Sequence, residues 1–474
     1  MPEGLFRAGS FELRELVLIG SSGKEVDLSA AMISLTLFEA IDQYTITGEL
    51  LVQDSVNLSS LLPVIGQEYL KIKFATPTVR DKNQMVDFTE NAMMVTSLDQ
   101  KMELGNGVVG QIINFASREM LMNDRVRINT VLTGSCDKIV EQVVTGDLGL
   151  QTRKKFFHEP SADNKKIVAP NIKPFGVVRQ CEVEAVSRRF NDPCYMFFET
   201  TKGFSFRSLA SLYSEPSMIT YEQFVQGTKT KKGSVSFEED LRGIISYNIV
   251  ESQDSLFTNN VGTYGSTLYT HDILGKGYKK HIYNYLDNFD KEHHIESTNS
   301  EFNKDKRKDF PVISSSIITK DEKRLSDFHG KTFVSPVNGV GNDSSQQNEF
   351  GETPFTPRQP QNTVQVRNSQ LSQLVSGYMV NLEVHGNTAL AAGDIVEVNL
   401  PYTAAATTNQ NELFDPIYKG KFIVKKLRHD FYMVDKSHTM NMQVVKDSLN
   451  ESLPSGYNPE IVKEGGPDCH EVDL

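Results

Sequence analysis

Met379-Val-Asn-Leu-Glu-Val384, Ile395-Val-Glu-Val-Asn-Leu400, Gly420-Lys-Phe-Ile-Val-Lys425 and Thr439-Met-Asn-Met-Gln-Val444 decide the fold. Apolar and polar side chains alternate in them with a period of two, so an extended chain presents one apolar face. His385-Gly-Asn387 supplies a turn after the first. Short alternating strands separated by turns read as a small antiparallel barrel or sandwich.

The pattern returns at the other end of the chain. Ile33, Leu35 and Leu37 alternate with more polar neighbours, and Ile46–Val52 and Tyr69–Phe74 follow, the latter ended by Thr76-Pro77. Further strands are expected at Met93–Leu98 and Val108–Ala116. A short helix is expected from Ser55 to Leu62, capped by Asp54 and stopped by Pro63. Gly20-Ser-Ser-Gly-Lys24 has two residues between its glycines and Glu25 after the lysine. A phosphate loop needs four and then Ser or Thr, so this reads as a hairpin turn.

Between 123 and 235 the pattern is α+β. Ser135 precedes Ile139, Val140, Val143 and Val144, which share a helix face, and Gly146 ends that helix. A second helix is expected over 176–190, stopped by Asn191-Asp-Pro193, then a strand over Cys194–Glu199 and a turn at Thr201-Lys-Gly203. Ile244–Val250 reads as another strand. Residues 297–365, rich in Asn, Ser, Asp, Lys and Gln, cannot bury much apolar surface and read as an exposed insertion. Leu371, Leu374 and Val375 suggest a short helix, and 453–474 reads as an acidic flexible tail.

The fold expected is mainly β with α+β parts: two antiparallel β-barrels, of the tube type by the family resemblance of the C-terminal block, an α+β module and a long polar insertion. The first barrel takes 1–122, the module 123–235, and the second barrel 236–296 with 366–452. A faint duplication supports two barrels. Leu62–Ile72 resembles Leu390–Val398, and Gly110–Asn114 is echoed by Gly420–Val424. Similar entries into strands from a Gly turn would produce the same likeness.

The 474 residues suffice for two to four domains. A net charge of −12 argues against a broad nucleic-acid surface, although it leaves local basic patches open. Cys136, Cys181, Cys194 and Cys469 are scattered, without the close pairs a zinc site uses, and read as reduced thiols. Neither a signal peptide nor an apolar run long enough to span a membrane is visible.

Catalytic patterns are weak. His293-His294 are neighbours that point to different faces and make a poor chelate, so they read as a solvated pair. His429-Asp430 and His271-Asp272 single out no serine. Arg153-Lys-Lys155, Lys229-Thr-Lys-Lys232 and Lys279-Lys280 read as solvated faces, with contact to acidic partners or passing DNA as the alternative. Phe197, Phe198, Phe204, Phe206, Tyr278, Tyr283 and Tyr285 read as core or interface. No residue is nominated as catalytic, cofactor-binding or metal-binding. A cell-wall hydrolase and a glycan-binding adhesin on a β-rich scaffold are the alternative readings; the absence of Trp weakens the second.

Gly386-Asn…Gly393-Asp-Ile-Val…Pro401, then Gly420-Lys-Phe-Ile…His429, then Lys446-Asp-Ser448 resembles the second barrel of baseplate hub proteins of contractile-tailed phages, the T4-like tail hub family. Phe197–Leu209 and Ile46–Asp54 are similar to other parts of such hubs. The resemblance implies a non-enzymatic homotrimer, in which two barrels per chain give a pseudo-sixfold ring joining a hexameric tail tube to a trimeric central spike. It also implies a virion baseplate location after assembly in the host cytoplasm, and a channel that DNA crosses without specific binding. Tape-measure and baseplate wedge proteins are further expected partners.

Overall fold

The computed structural model describes residues 8–54, 68–76, 85–105, 108–223, 237–251, 254–272, 276–296, 309–316, 323–337, 356, 358–401 and 414–451. The helix expected at 55–62, the run 229–232, Cys469 and the tail lie outside the described residues. Fourteen strands form one continuous sheet.

Its N-terminal half holds β1 (Glu12–Ile19), β2 (Glu25–Asp27), β3 (Met32–Ala40), β4 (Thr47–Asp54), β5 (Tyr69–Ala75), β6 (Met85–Asp87), β7 (Met93–Gly105) and β8 (Val108–Ala116). The order is β3-β4-β8-β7-β5-β1-β2, with β6 on β5. The inward positions of each main strand, such as Leu35, Leu50, Ile72, Ile113 and Phe115, fill one apolar core. Gly20–Lys24 is a hairpin turn, as expected: the Gly20 N–H donates to Lys24 O, and Gly23 has φ +79°.

The α+β part follows. Its elements are α1 (Arg118–Arg125), β9 (Ile128–Gly134), α2 (Cys136–Thr145), β10 (Phe156–His158), β11 (Lys165–Ile172), α3 (Pro174–Glu184), β12 (Tyr195–Thr200), β13 (Gly203–Ser208) and α4 (Leu209–Tyr213). The apolar face of α2 and α3 packs on Tyr195, Phe197, Phe204 and Phe206. The second helix is shorter than expected: Pro174 starts it without needing a donor, and the chain turns away after Glu184.

The C-terminal half adds β14 (Thr220–Glu222), α5 (Phe237–Arg242) and β15 (Ile244–Glu251). Next come α6 (Ser255–Val261), β16 (Gly265–Asp272), β17 (Gly277–Asn284), α7 (Tyr285–Asn288), β18 (Phe310–Pro311) and β19 (Lys331–Val337). Last are α8 (Pro360–Ser376), β20 (Tyr378–His385), β21 (Ile395–Pro401), β22 (Phe414–Tyr432), β23 (Ser437–Lys446) and β24 (Ser448–Leu449). Strands β15-β20-β23-β22-β21-β14 run side by side, and a parallel bridge from Glu222 to Gly243 links the last back towards the first. They enclose a second core that includes Val380, Leu382, Val398, Phe422 and Val444.

The two halves are topological repeats. Taken in chain order, β1, β3, β4, β5, β7 and β8 correspond to β14, β15, β20, β21, β22 and β23. The antiparallel pairs β3·β4, β4·β8, β7·β8 and β5·β7 match β15·β20, β20·β23, β22·β23 and β21·β22. One pair departs: β1 is antiparallel to β5, whereas β14 is parallel to β21. The sequence likeness of 62–72 to 390–398 joins true equivalents, β5 and β21. That of 110–114 to 420–424 does not, because β8 corresponds to β23.

Described parts of 297–365 differ from the exposed insertion expected. Strand β19 pairs in parallel with β16, and α8 begins at Pro360 rather than near Leu371. Helix α8 is buried through polar side chains. Gln365 donates to Ser266 O at 3.0 Å, Ser369 to Thr263 O at 2.7 Å, and the Arg367 guanidinium to Glu182 O and Tyr195 O. Of 236–296, β15 enters the C-terminal half. Strands β16 and β17 instead form a separate sheet with β19.

Candidate functional site

The feature that organises the molecule is the seam where the two halves meet. Strand β3 pairs antiparallel with the last third of β22, from Lys426 opposite Ala40 to Tyr432 opposite Ser34. Each strand would otherwise leave an unpaired edge. Asp430 fastens the seam from the side chains: Oδ1 accepts from Thr36 on β3 (3.0 Å) and from Arg428 (2.8 Å), and Oδ2 from Asn441 on β23 (3.1 Å). Phe431 crosses the seam and belongs to the N-terminal core, with ring centres 4.5 Å from Phe74 and 5.2 Å from Phe11.

Buried polar groups run behind the seam. Glu39, at the end of β3, accepts from the N–H of Thr201 (2.9 Å) and of Ala392 (3.1 Å), so one carboxyl ties three parts of the chain together. Burial raises its pKa to about 7 against those two backbone bonds. Gly393, next to Ala392, has φ +88°, and a Cβ there would meet the Phe198 ring at 2.9 Å. His429 and His438 are hydrogen-bonded through Nδ1 and Nε2 at 3.1 Å, and His438 Nδ1 reaches Thr76 Oγ1 at 3.0 Å. Burial pushes His429 down to about 4 and His438 well down, so both are neutral at pH 7.

Two further junctions hold the remaining parts. Lys154 Nζ lies 2.9 Å from Glu119 and 2.5 Å from Glu199, and the second carboxylate also accepts from the Ile46 N–H. Burial opposes the Lys154 charge, but the two carboxylates outweigh it and hold the ammonium above its ordinary pKa. Asp447 binds His294 Nδ1 at 2.9 Å and the Ile295 N–H at 3.1 Å, and Ser448 accepts from the Glu296 N–H. Asp447-Ser448 is thus a staple for 294–296, while Lys446 Nζ donates to Lys419 O.

The strands flanking the seam carry a polar face opposite their cores. It includes Thr36, Glu49, Asn114, Asn381, Asn441 and Gln443, cross-linked by Asn114 to Ser97 (2.9 Å) and Gln443 to Asn381 (3.3 Å). This face crosses the seam unbroken, through Thr36 and Asp430.

The residues weighed in the sequence occupy structural places. His294 is buried and stacked on Phe289 at 3.9 Å, not solvated, while His293 packs against Phe190. His429 and Asp430 serve the seam. Lys154 is not a solvated cation, whereas Lys279 and Lys280 are exposed. Phe197, Phe198, Phe204, Phe206, Tyr283 and Tyr285 are core; Tyr278 is exposed. Cys136, Cys181 and Cys194 are free and buried. Among the described residues no group of three or more His, Cys, Asp or Glu is placed to hold a metal, and no helix is long and apolar enough to cross a membrane.

The sequence expectations missed Glu39 and Lys154. A charged residue at a strand end and one within a basic run carry no local sign of burial.

The prophage MuSo2 43 kDa tail protein from Shewanella oneidensis superposes with a TM-score of 0.50 at 9% identity, over 91% of this chain and 98% of that one. The chain has a tail-protein fold. The tail protein from Neisseria meningitidis MC58 superposes at 0.49 with 10% identity over 92% and 97%. A prophage tail protein from Listeria monocytogenes EGD-e gives 0.45 with 8% identity over 91% and 94%. No protein-family description and no curated protein matches the sequence. In the tail-protein fold of this chain, the seam, its polar face and the repeat of the two halves are the features left for function.

Proposed function

We propose that this chain is the structural hub of a contractile phage-tail baseplate: a homotrimer whose six β-halves form a pseudo-sixfold ring between a hexameric tube and a trimeric spike. The observation that carries the reading is the repeat together with its seam. Within the chain, β3 of one half pairs with β22 of the other. Their counterparts are β15 and β7. Among the described residues the outer edge of β15 has only the Gly243 bridge, and β7 beyond Val95, whose N–H donates to Glu68 O, is paired only on its β8 side. A second copy can satisfy both edges by repeating the internal seam.

The register follows from shared neighbours. Leu35 and Tyr247 sit opposite Leu50 and Leu382. Leu98 and Leu427 sit opposite Ile113 and Met442, which in turn face those same leucines. Asp99–Glu103 of one copy therefore runs antiparallel to Tyr247–Glu251 of the next. The ring so built lines its channel with the polar face, on which the cations Lys426 and Arg428 are each paired with an acid, Asp42 and Asp430, and so offer DNA little to hold it. The chain has a positioning role and needs no chemical step; its place is the virion tail.

Met102 and Asn248 stand where Asp430 and Thr36 stand in the internal seam. Oxidising a Met102→Cys/Asn248→Cys variant is expected to give a covalent three-chain species. Intramolecular products alone, or none, would overturn the reading.

A further inference from the structure

Between β10, the segment 188–190 and the β13–α4 junction lies an open cleft of about 680 Å³ lined by Phe157, Phe190, Arg188, Arg189 and Arg207 among others. It brings three arginines together on a chain whose net charge is −12; Glu159 also lines it, with its carboxylate bonded by Ser187 and Ser208. Arg207 is already engaged by Glu215 at 2.6 Å. Arg188 and Arg189 are exposed, and Arg189 lies over the Phe190 ring at 4.9 Å. Guanidinium groups beside aromatic walls suit carboxylates on a peptide that also carries aliphatic side chains.

We propose that this cleft binds the acidic stretch 460–473 of the same chain. That stretch carries Glu460, Glu464, Asp468, Glu471 and Asp473 against a single Lys463, with Ile461, Val462 and Val472 between them. The path is short. Asp447 holds His294, the His293 ring packs on Phe190 at 5.0 Å, and Phe190 lines the cleft. The described chain ends at Glu451, four positions beyond Asp447. Extended chain covers roughly 3.4 Å per residue, so the nine steps from Glu451 to Glu460 span about 30 Å. A tethered ligand at that reach competes at high effective concentration against any acidic peptide in trans. This inference does not depend on the ring.

Cys136, Cys181 and Cys194 are buried, so a maleimide fluorophore on the folded full-length chain reports on Cys469. High anisotropy is expected for the wild type. It should fall towards that of a free labelled peptide in Arg188→Glu/Arg189→Glu, and recover when Glu460→Lys/Glu464→Lys is added. Lys279→Glu/Lys280→Glu, the same charge change elsewhere, should leave it high. Equal anisotropy in the wild type and the arginine variant would overturn the proposal. So would an equal fall in the lysine variant, or failure of the charge swap to restore the signal.

Discussion

Thr36 on β3 donates its hydroxyl to Asp430 on β22 at 3.0 Å, from strands 394 residues apart. That bond closes the seam between two β-halves that share one topology. Asp430 is buried and accepts from three side chains, one of them the Arg428 guanidinium, and its loss removes all three bonds. Asp430→Ala is expected to cost about 2–3 kcal/mol. Urea denaturation is the check; a change within error would mean the seam rests on its backbone pairing alone.

Glu39 gives the seam a signature in pH. Its folded pKa, about 7, is raised above an unfolded value near 4.5. The folded state therefore favours the protonated acid. The stability it contributes is fully present below pH 4.5 and is lost as pH rises through 7, about 3 kcal/mol in all. Glu39→Gln removes this dependence, although its amide also gives up one backbone bond. The variant should gain on the wild type between pH 4.5 and 8, measured by denaturation midpoints. Parallel curves would contradict the buried acid.

His429 and His438 act in the other direction. Both are depressed in the fold, so their contribution is present above pH 6.5 and lost as pH falls towards 4. Two such groups give a slope of up to about 2.7 kcal/mol per pH unit. A His429→Phe/His438→Phe variant should show a shallower acid limb in thermal unfolding, whatever its stability at pH 8.

Lys154 lies between two buried carboxylates of the α+β part, Glu119 and Glu199, and Glu199 ties that part to the N-terminal half through the Ile46 N–H. Lys154→Met should destabilise by about 3–5 kcal/mol at neutral pH, because it strands buried charge. Adding Glu119→Gln and Glu199→Gln should recover much of that loss. A triple variant no better than the single one would point to packing instead.

Much of the fold was legible because short strands that each bury one face announce themselves by alternation. Tyr69–Ala75, Val108–Ala116 and Tyr378–His385 lie within a residue or two of expectation. Helix α8 was not legible over most of its length: Gln365, Ser369 and Ser372 are buried by hydrogen bonds to Ser266 and Thr263 about 100 positions away. An apolar stripe never forms there, so composition alone reads as loop. Strand β22 extends to 19 residues, but 420–425 are buried on both faces and burial alternates only over 425–429. The seam was invisible for a related reason, because pairing between β3 and β22 depends on matched geometry of two remote strands rather than on either sequence.

Native mass measurement of the purified chain tests the central claim most directly. The account predicts a species of three chains that persists on dilution. It also predicts dissociation when Tyr247→Pro removes a backbone donor from the outer edge of β15, the row next to Asn248, whose own N–H faces β20. A wild-type chain that remains a monomer at high concentration would contradict it.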